Sequence, residues 1–269
     1  KKIDVICPVL HGCNGEDGTI QGLFELAGIP YVGCGVLSSA LAMDKAYAKV
    51  IFEKEALPQG KYLVYNRKQL SREMDSVISE IEETLTYPCF IKPSNAGSSV
   101  GVSKAHDRDE LVAALQLAAR YDRRILAEEF VDGWEAECAV LGNDDPIAST
   151  VGEVLPCNEF YDYEAKYLSG DSSEVIIPAR LPSEVIETIR SYAIKAFKAL
   201  DCSGLARVDF FVRKENNEIY INEINTMPGF TQISMYSKLW AASGMPYSQL
   251  IERLIELALE RHVDSQREI

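Results

Sequence analysis

Three oxygen-bearing side chains, Asp209, Glu223 and Asn225, occupy two β-strand patterns that otherwise resemble protein core. Buried carboxylates need a partner, and a ligand set made only of hard oxygen atoms suits Mg²⁺. Mg²⁺ takes few protein carboxylates and completes its shell with water and substrate phosphates. The set therefore favours a magnesium site. An ordinary hairpin whose acidic residues pair with Lys or Arg at its rim is the alternative.

The geometry of this site depends on a β-hairpin. Two apolar runs, 206–212 and 219–225, flank a polar turn, and alternate residues of a strand point to one face of the sheet. A connection with an odd number of residues would place Asp209 opposite Glu223 and Phe211 opposite Ile221. We therefore predict the odd connection, with the three oxygen ligands on one face.

A second candidate for phosphate binding is Lys92, which lies in the apolar strand pattern 88–93. The run Gly97-Ser98-Ser99-Val100-Gly101 follows it and leads into a second strand pattern, 100–104. Glycines and hydroxyl groups in such a connection supply N–H and O–H donors for phosphate oxygens. A plain turn with a lysine that reaches solvent is the alternative.

The first residues indicate one doubly wound unit. A buried strand over Ile3–Leu10, a polar Gly-rich loop over 11–19 and a helix from Gln21 follow one another. This order places the loop at the carboxyl end of a strand, where open α/β sheets bind ligands, although its glycines could also serve only for tight turns. Because only two lysines precede the strand, we expect a further N-terminal portion in the whole protein.

Composition limits the class of protein. With 27 basic and 41 acidic residues the chain has a net charge of -14, which argues against a nucleic-acid or anionic-membrane surface. Its seven cysteines contain no Cys-x-x-Cys pair and indicate reduced thiols in a cytoplasmic protein. We detect no signal peptide and no apolar run of membrane-spanning length.

Six motifs in order resemble those of the D-alanine-D-alanine ligases of the ATP-grasp superfamily. They are His11-Gly12-x-x-Gly15-Glu16-Asp17-Gly18-x-x-Gln21-Gly22, Met43-Asp44-Lys45, Lys92-Pro93-x-x-x-Gly97-Ser98-Ser99-Val100-Gly101, the stretch 160–167, Arg207-Val208-Asp209, and Glu223-x-Asn225-Thr226-x-Pro228-Gly229-Phe230-Thr231. The resemblance spans the whole chain. The matching motifs do not include the family's N-terminal Gly-rich segment, whose glutamate binds the ammonium group of the first substrate.

The resemblance implies an α/β protein of the α+β ATP-grasp type, with a partial doubly wound N-terminal unit followed by two ATP-grasp α+β subdomains. The expected boundaries are 1–34 for the remnant N-terminal unit, 35–127 for the central subdomain and 128–269 for the C-terminal subdomain. The polar and aromatic stretch 156–174 is expected to be a lid loop, since a loop of this length is uncommon otherwise.

The resemblance also implies roles for individual residues. ATP would lie between the last two subdomains, with Lys45 and Lys92 on its α- and β-phosphates and Ser98 and Ser99 above them. Glu128 and Glu135 would bind adenine and ribose, and the lid residue Lys166 would contact phosphate. Asp209, Glu223 and Asn225 would hold two Mg²⁺ ions (or Mn²⁺).

The resemblance implies further roles at the reacting groups. Arg207 and the Gly229 N–H would stabilise the reacting carbonyl. Ser234 and His11, with Lys166, would bind the amino-acid substrates, and Ser98 and Tyr167 would link the loop to the lid.

The implied reaction joins two D-alanines through an acyl phosphate, for the synthesis of peptidoglycan precursors. Relatives that make D-alanine-D-lactate often carry His where Tyr167 stands, whereas D-serine as second substrate is harder to exclude. A non-catalytic ATP-Mg²⁺ binding module is a hypothesis from another class. The expected partners are D-alanine and ATP, with no nucleic acid and no membrane, and the family's frequent dimerisation makes a homodimer one expectation.

Overall fold

Two antiparallel β-sheets and eight helices make up the part of the chain that the structure, a computed structural model, describes: residues 3–97, 99–155 and 174–266. The helices are α1 (Thr19–Ala27), α2 (Val36–Met43), α3 (Lys45–Lys54), α4 (Arg67–Leu85), α5 (Arg108–Tyr121), α6 (Ser183–Ala199), α7 (Met235–Ala242) and α8 (Tyr247–Asp264). The strands are β1 (Tyr62–Asn66), β2 (Cys89–Pro93), β3 (Ser103–Ala105), β4 (Arg124–Glu129), β5 (Gly133–Gly142), β6 (Ile147–Leu155), β7 (Glu174–Ile176), β8 (Gly204–Arg213) and β9 (Ile219–Asn225).

The smaller sheet has four strands in the order β1-β4-β2-β3. α4 and α5 pack on it, because their apolar residues recur at helical spacing; in α5 these are Leu111, Ala114, Leu115 and Ala118. The side chain of Asp107 caps α5 by accepting a hydrogen bond of 2.9 Å from the N–H of Glu110. Lys92 and Glu128 lie on the two central strands of this sheet.

The larger sheet has five strands in the order β7-β6-β5-β8-β9. One face packs against α6, α2 and α3, since alternate residues of β8, from Ala206 to Val212, enter the same core as Phe52 and Phe197. On the other face, α7 and α8 cover Leu141 and Leu205 at one end. The remainder of that face, including Arg207 and Asp209, forms a wall of a cavity.

The first residues differ from expectation. Two parts of the predicted doubly wound unit are observed within residues 3–97. They are the helix α1 and a single parallel bridge between Ile6, before this helix, and Tyr31, after it. The prediction of a buried strand over Ile3–Leu10 is wrong for this chain, because Ile3, Val9 and Leu10 are about half exposed and no continuous ladder holds them. The predicted α+β class is confirmed, and both of its sheets are antiparallel.

The connection between β2 and β3 turns at Gly101, so that β3 begins at Ser103 and not at Val100 as predicted. The φ angle of Gly101 is +72°, and a Cβ there would lie 2.6 Å from the ring of Tyr121 and 2.9 Å from Pro93. The glycine is therefore required both by its conformation and by its close contacts.

We expect Gly101→Ala to lower the free energy of unfolding by at least about 1–2 kcal/mol, because alanine is disfavoured at positive φ and its methyl group would contact Tyr121. Urea denaturation would measure the change. Gly22→Ala is the matched control, since Gly22 lies in α1 with open space around it. Equal stability of Gly101→Ala and the unaltered chain would contradict the expectation.

Within the described residues, no helix combines the length and the apolar character needed to cross a bilayer.

Candidate active site

A cavity of about 780 Å³ lies between the two sheets. Its walls come from β2 and β4 of the smaller sheet, from β5, β8 and β9 of the larger sheet, and from the loop 226–234 that follows β9. It is lined by every predicted site residue that the structure describes: His11, Lys45, Lys92, Ser99, Glu128, Glu135, Arg207, Asp209, Glu223, Asn225, Gly229 and Ser234. The predicted residues Ser98, Lys166 and Tyr167 lie outside the described residues.

The hairpin of β8 and β9 brings the three oxygen ligands together. Asp209 pairs with Glu223 across the two strands, and the Asn225 amide donates a hydrogen bond of 2.9 Å to Asp209. This pairing was predicted, but the odd connection that was meant to produce it is wrong. On the turn side Phe211 pairs with Tyr220 and Phe210 with Ile221, and a bulge then shifts the register by one residue.

Arg207 holds the acidic residues of this wall. Its guanidinium donates to both carboxylate oxygens of Asp209 at 2.7 Å and lies 3.0 Å from a carboxylate oxygen of Glu137. Burial alone would lower the pKa of Arg207, but the charges of Asp209 and Glu137 outweigh burial and raise it. The arginine is therefore a permanent cation at the floor of the cavity.

The acidic wall fits a hard metal ion. Two opposed carboxylates and one amide on the cavity face provide the oxygen donors that Mg²⁺ takes, with room left for water and phosphate. Among the described residues, no group of three or more His, Cys, Asp or Glu side chains is arranged to hold a metal ion. Here protein cations balance both carboxylates: Arg207 pairs with Asp209, and the ammonium of Lys45 lies 3.2 Å from Glu223.

The opposite wall carries a buried carboxylate between two lysines. The two carboxylate oxygens of Glu128 lie 2.6 Å from the ammonium groups of Lys49 and Lys92, respectively. Burial raises the pKa of Glu128, but the two lysines outweigh burial and hold that pKa at about 2. The same contact with Glu128 outweighs burial at Lys92 and raises the pKa of the lysine. Glu128 and Lys92 therefore stay charged at neutral pH.

We expect the free energy of unfolding to depend on pH through Glu128. Its folded-state pKa of about 2 is below the ordinary 4.5, so its contribution is complete above about pH 4.5 and is lost as the pH falls toward 2. The contribution amounts to at most about 3 kcal/mol. Denaturation at several pH values between about 5 and 3 should give a smaller pH slope for Glu128→Gln than for the unaltered chain. Equal slopes would contradict the assignment.

The loop after β9 closes the far end of the cavity. Ser234, the N-cap of α7, accepts a hydrogen bond of 3.1 Å from the N–H of Thr231, and its hydroxyl lies 2.8 Å from that of Thr231. A Cβ at Gly229 would lie 3.2 Å from the Ser234 hydroxyl, so the backbone approaches closely here. His11 is tied to this loop through its Nδ1 atom, 3.0 Å from the Met227 carbonyl oxygen. The arrangement offers hydroxyl and N–H donors to a small anionic substrate.

Sequence models of known families match nearly the whole chain. The model of the D-ala D-ala ligase N-terminus matches residues 1–34, and that of the D-ala D-ala ligase C-terminus matches residues 51–256. A D-alanine–D-alanine ligase from Ruminiclostridium cellulolyticum is 73% identical over 99% of this chain and 71% of its own length. The chain belongs to the D-alanine–D-alanine ligase family. A second family member, from Acetivibrio thermocellus, is 68% identical over 100% of this chain and 71% of its own length.

Solved structures of the family share the fold. The D-alanine-D-alanine ligase from Coxiella burnetii superposes with a TM-score of 0.87 at 38% identity, covering 99% of this chain and 70% of its own. The VanG D-Ala:D-Ser ligase from Enterococcus faecalis has the same TM-score at 44% identity, covering 96% of this chain and 74% of its own. The predicted membership of the ATP-grasp ligases is thereby confirmed, while the roles of single residues stay predictions.

Two cavity residues were not anticipated from the sequence. Lys49 follows Lys45 by one helical turn in α3, so the two lysines lie on the same face of the helix. This spacing, with alanines between them, could have predicted that both face the cavity. Glu137 lies directly opposite Asp209 on the neighbouring strand β5. Its pairing with Arg207 could be recognised only once the order of the strands was known.

Proposed function

We propose that the chain joins two D-alanines into D-alanyl-D-alanine with the cleavage of ATP to ADP and phosphate, in the cytoplasm. The observation that supports this most directly is the cavity between the sheets, where lysines on one wall face paired carboxylates on the other. An anionic nucleotide with its metal needs both kinds of wall. The choice of D-alanine as substrate follows from the names of two relatives that are 73% and 68% identical to this chain.

The proposed reaction has two steps. The carboxylate of the first D-alanine attacks the γ-phosphorus of ATP, forms an acyl phosphate and releases ADP. The amine of the second D-alanine then attacks the carbonyl carbon, and the collapse of the tetrahedral adduct expels phosphate as the nitrogen loses its proton. Positioning and charge stabilisation supply most of the rate in such phosphoryl transfers.

The described residues take the following parts in this proposal. Lys45 and Lys92 bind phosphate oxygens, while Ser99 lies in the loop beside them. Glu128 and Glu135 lie along the adenine and ribose end, and Arg207 with the Gly229 N–H stabilises charge on the reacting carbonyl oxygen. Ser234 and His11 bind the amino acids. Two Mg²⁺ ions, or Mn²⁺, held by Asp209, Glu223 and Asn225, would supply charge neutralisation of the phosphates when bound.

Three further residues complete the proposal. Ser98 covers the phosphates and links to Tyr167, while Lys166 contacts phosphate and the second carboxylate. We also propose that the chain is divided into units 1–34, 35–127 and 128–269, with a lid at 156–174. We further propose that the protein forms a homodimer, and sedimentation equilibrium would test this oligomeric state.

The experiment uses ATP, Mg²⁺ and D-alanine together, with phosphate release and dipeptide formation as the two readouts. Both are expected, and omission of any one component should abolish them. Phosphate release with another amino or hydroxy acid but not with D-alanine would overturn the substrate. Calorimetric binding of ATP with no turnover would favour a non-catalytic binding module.

D-serine is the second candidate for the attacking amine. The observation that favours it is the VanG D-Ala:D-Ser ligase, whose fold matches as well as that of the D-alanine ligase from Coxiella burnetii. Competition between labelled D-alanine and D-serine would decide, and we expect D-alanyl-D-alanine to dominate the products.

A further inference from the structure

A buried polar network joins the start of α3 to the smaller sheet. Asp44 forms an ion pair with Arg124, which begins β4, and accepts a hydrogen bond of 2.6 Å from the hydroxyl of Ser94. That hydroxyl in turn accepts a hydrogen bond of 3.1 Å from the N–H of Ala46 in the first turn of α3. Ser94 is fully buried and directly follows β2. The network therefore links three separate chain segments.

The network crosses the boundary between two cores. α3 packs through Ala48 and Phe52 into the core of the larger sheet. Ser94 and Arg124, by contrast, lie at the ends of strands of the smaller sheet, where the N–H of Ser94 donates to the Arg124 carbonyl at 3.0 Å. The contact is thus one of the places where the two walls of the cavity are fixed relative to each other.

Lys45 lies at the centre of this junction. Its backbone N–H donates to the Ser94 carbonyl at 2.9 Å, and its ammonium donates to the Ala96 carbonyl at 2.9 Å while also contacting Glu223 of β9. Lys92, the other proposed phosphate ligand, lies two residues before Ser94. The position of Lys45 relative to Lys92 therefore depends on how the start of α3 is held against Ser94.

Helix capping alone does not account for the arrangement. Asp107 and Asn66 cap their helices with hydrogen bonds of 2.9 and 3.0 Å, whereas the equivalent contact from Asp44 to the N–H of Tyr47 measures 3.4 Å. The carboxylate of Asp44 lies closer to Ser94 and Arg124 than to its own helix. Its geometry favours the contact between segments over the cap.

We propose that Asp44, Ser94 and Arg124 form a positioning unit that sets the distance between Lys45 and Lys92 across the cavity, and so selects for a nucleotide polyphosphate. This inference rests on the proposed function, in which both lysines bind phosphate oxygens. The three residues act through Lys45 and do not touch the nucleotide themselves. Loss of the unit should weaken nucleotide binding without altering the sites for the amino acids.

The test measures binding of a non-hydrolysable ATP analogue with Mg²⁺ by calorimetry, and the KM values for ATP and D-alanine. Ser94→Ala and Asp44→Asn are each expected to weaken analogue binding by about tenfold, the effect of one or two lost buried hydrogen bonds. The KM for ATP should rise in parallel while the KM for D-alanine changes less than about twofold.

The matched control is Asp107→Asn, which removes the same capping carboxylate from α5, away from the cavity. Because asparagine caps a helix about as well as aspartate, this variant should change the melting temperature little and leave analogue binding unchanged. Ser94→Thr keeps the hydroxyl and should recover at least part of the affinity lost in Ser94→Ala. Unchanged affinity in folded Ser94→Ala and Asp44→Asn, or an equal loss in Asp107→Asn, would overturn the inference. If the unaltered chain bound no analogue, the proposed function itself would fail, and the inference with it.

Discussion

Asp209→Asn should lower the rate of ATP-dependent and D-alanine-dependent phosphate release by about a thousandfold, the loss of several kcal/mol of charge stabilisation. Asp209 lies opposite Glu223, receives the Asn225 amide and carries both hydrogen bonds from Arg207. An amide keeps the shape but removes one of the two negative charges at the proposed metal site. The rate should stay low at saturating ATP and recover only in part with excess Mg²⁺.

The control for this substitution is Glu218→Gln on the same hairpin. Glu218 lies at the turn, and its carboxylate accepts a hydrogen bond of 2.8 Å from the nearby Tyr220 hydroxyl, so neutralising it should change the rate by less than about twofold. Thermal denaturation of both variants would show whether they are folded. Retention of more than about a tenth of the activity by folded Asp209→Asn would contradict the metal-site assignment.

Arg207→Lys should lower kcat by about a hundredfold or more while the KM for ATP changes little. The guanidinium contacts Asp209 with two donors and Glu137 with a third contact, and a lysine ammonium cannot span the same fork. Removal of one preorganised donor at a developing oxyanion typically costs this much. Steady-state kinetics with ATP and D-alanine as the varied substrates would measure both constants.

Arg213→Lys is the matched control, because Arg213 lies on the same strand, β8, and its nearest carboxylate, of Glu129, is 3.8 Å away. It should retain near-normal kcat. A kcat in Arg207→Lys within about threefold of that in Arg213→Lys would remove Arg207 from the reacting centre. A rise in the KM for ATP alone would move it to nucleotide binding.

The hairpin illustrates how far a sequence pattern predicts a site. The facing pair of Asp209 and Glu223 followed from the chemistry of buried carboxylates, although the turn leaves four residues, 214–217, beyond the Arg213–Glu218 contact. An even turn pairs the acids correctly only because a bulge adds a residue. The sequence signal of this bulge is the spacing of three buried isoleucines. Ile219 and Ile221 are two residues apart, as in a regular strand, whereas Ile221 and Ile224 are three residues apart.

Strong helical periodicity predicted helix positions well. The sequence pattern predicts a helix from Ser183 to Leu200, which is observed over Ser183–Ala199. It also predicts a final helix from Tyr247 to Arg261, which is observed over Tyr247–Asp264. Contacts between distant segments had no such signal. The hydrogen bond between Asp44 and Ser94 and the ion pair between Lys49 and Glu128 join residues at least fifty positions apart, and they depend on the mutual placement of two sheets that local periodicity does not encode.

The ion pairs across the cavity bear on which solutes it can retain. Arg207 with Asp209, Lys45 with Glu223, and Lys92 with Glu128 already balance one another in the ligand-free protein. A solitary anion that drew Lys45 away from Glu223 would leave that carboxylate without its cation, and a solitary cation at Asp209 would compete with Arg207. A solute that carries both negative and positive charge can pair its anionic groups with the lysines and its cation with the carboxylates at the same time, so no protein charge loses its partner. We therefore expect the cavity to bind a metal-nucleotide complex more tightly than inorganic phosphate or a bare metal ion.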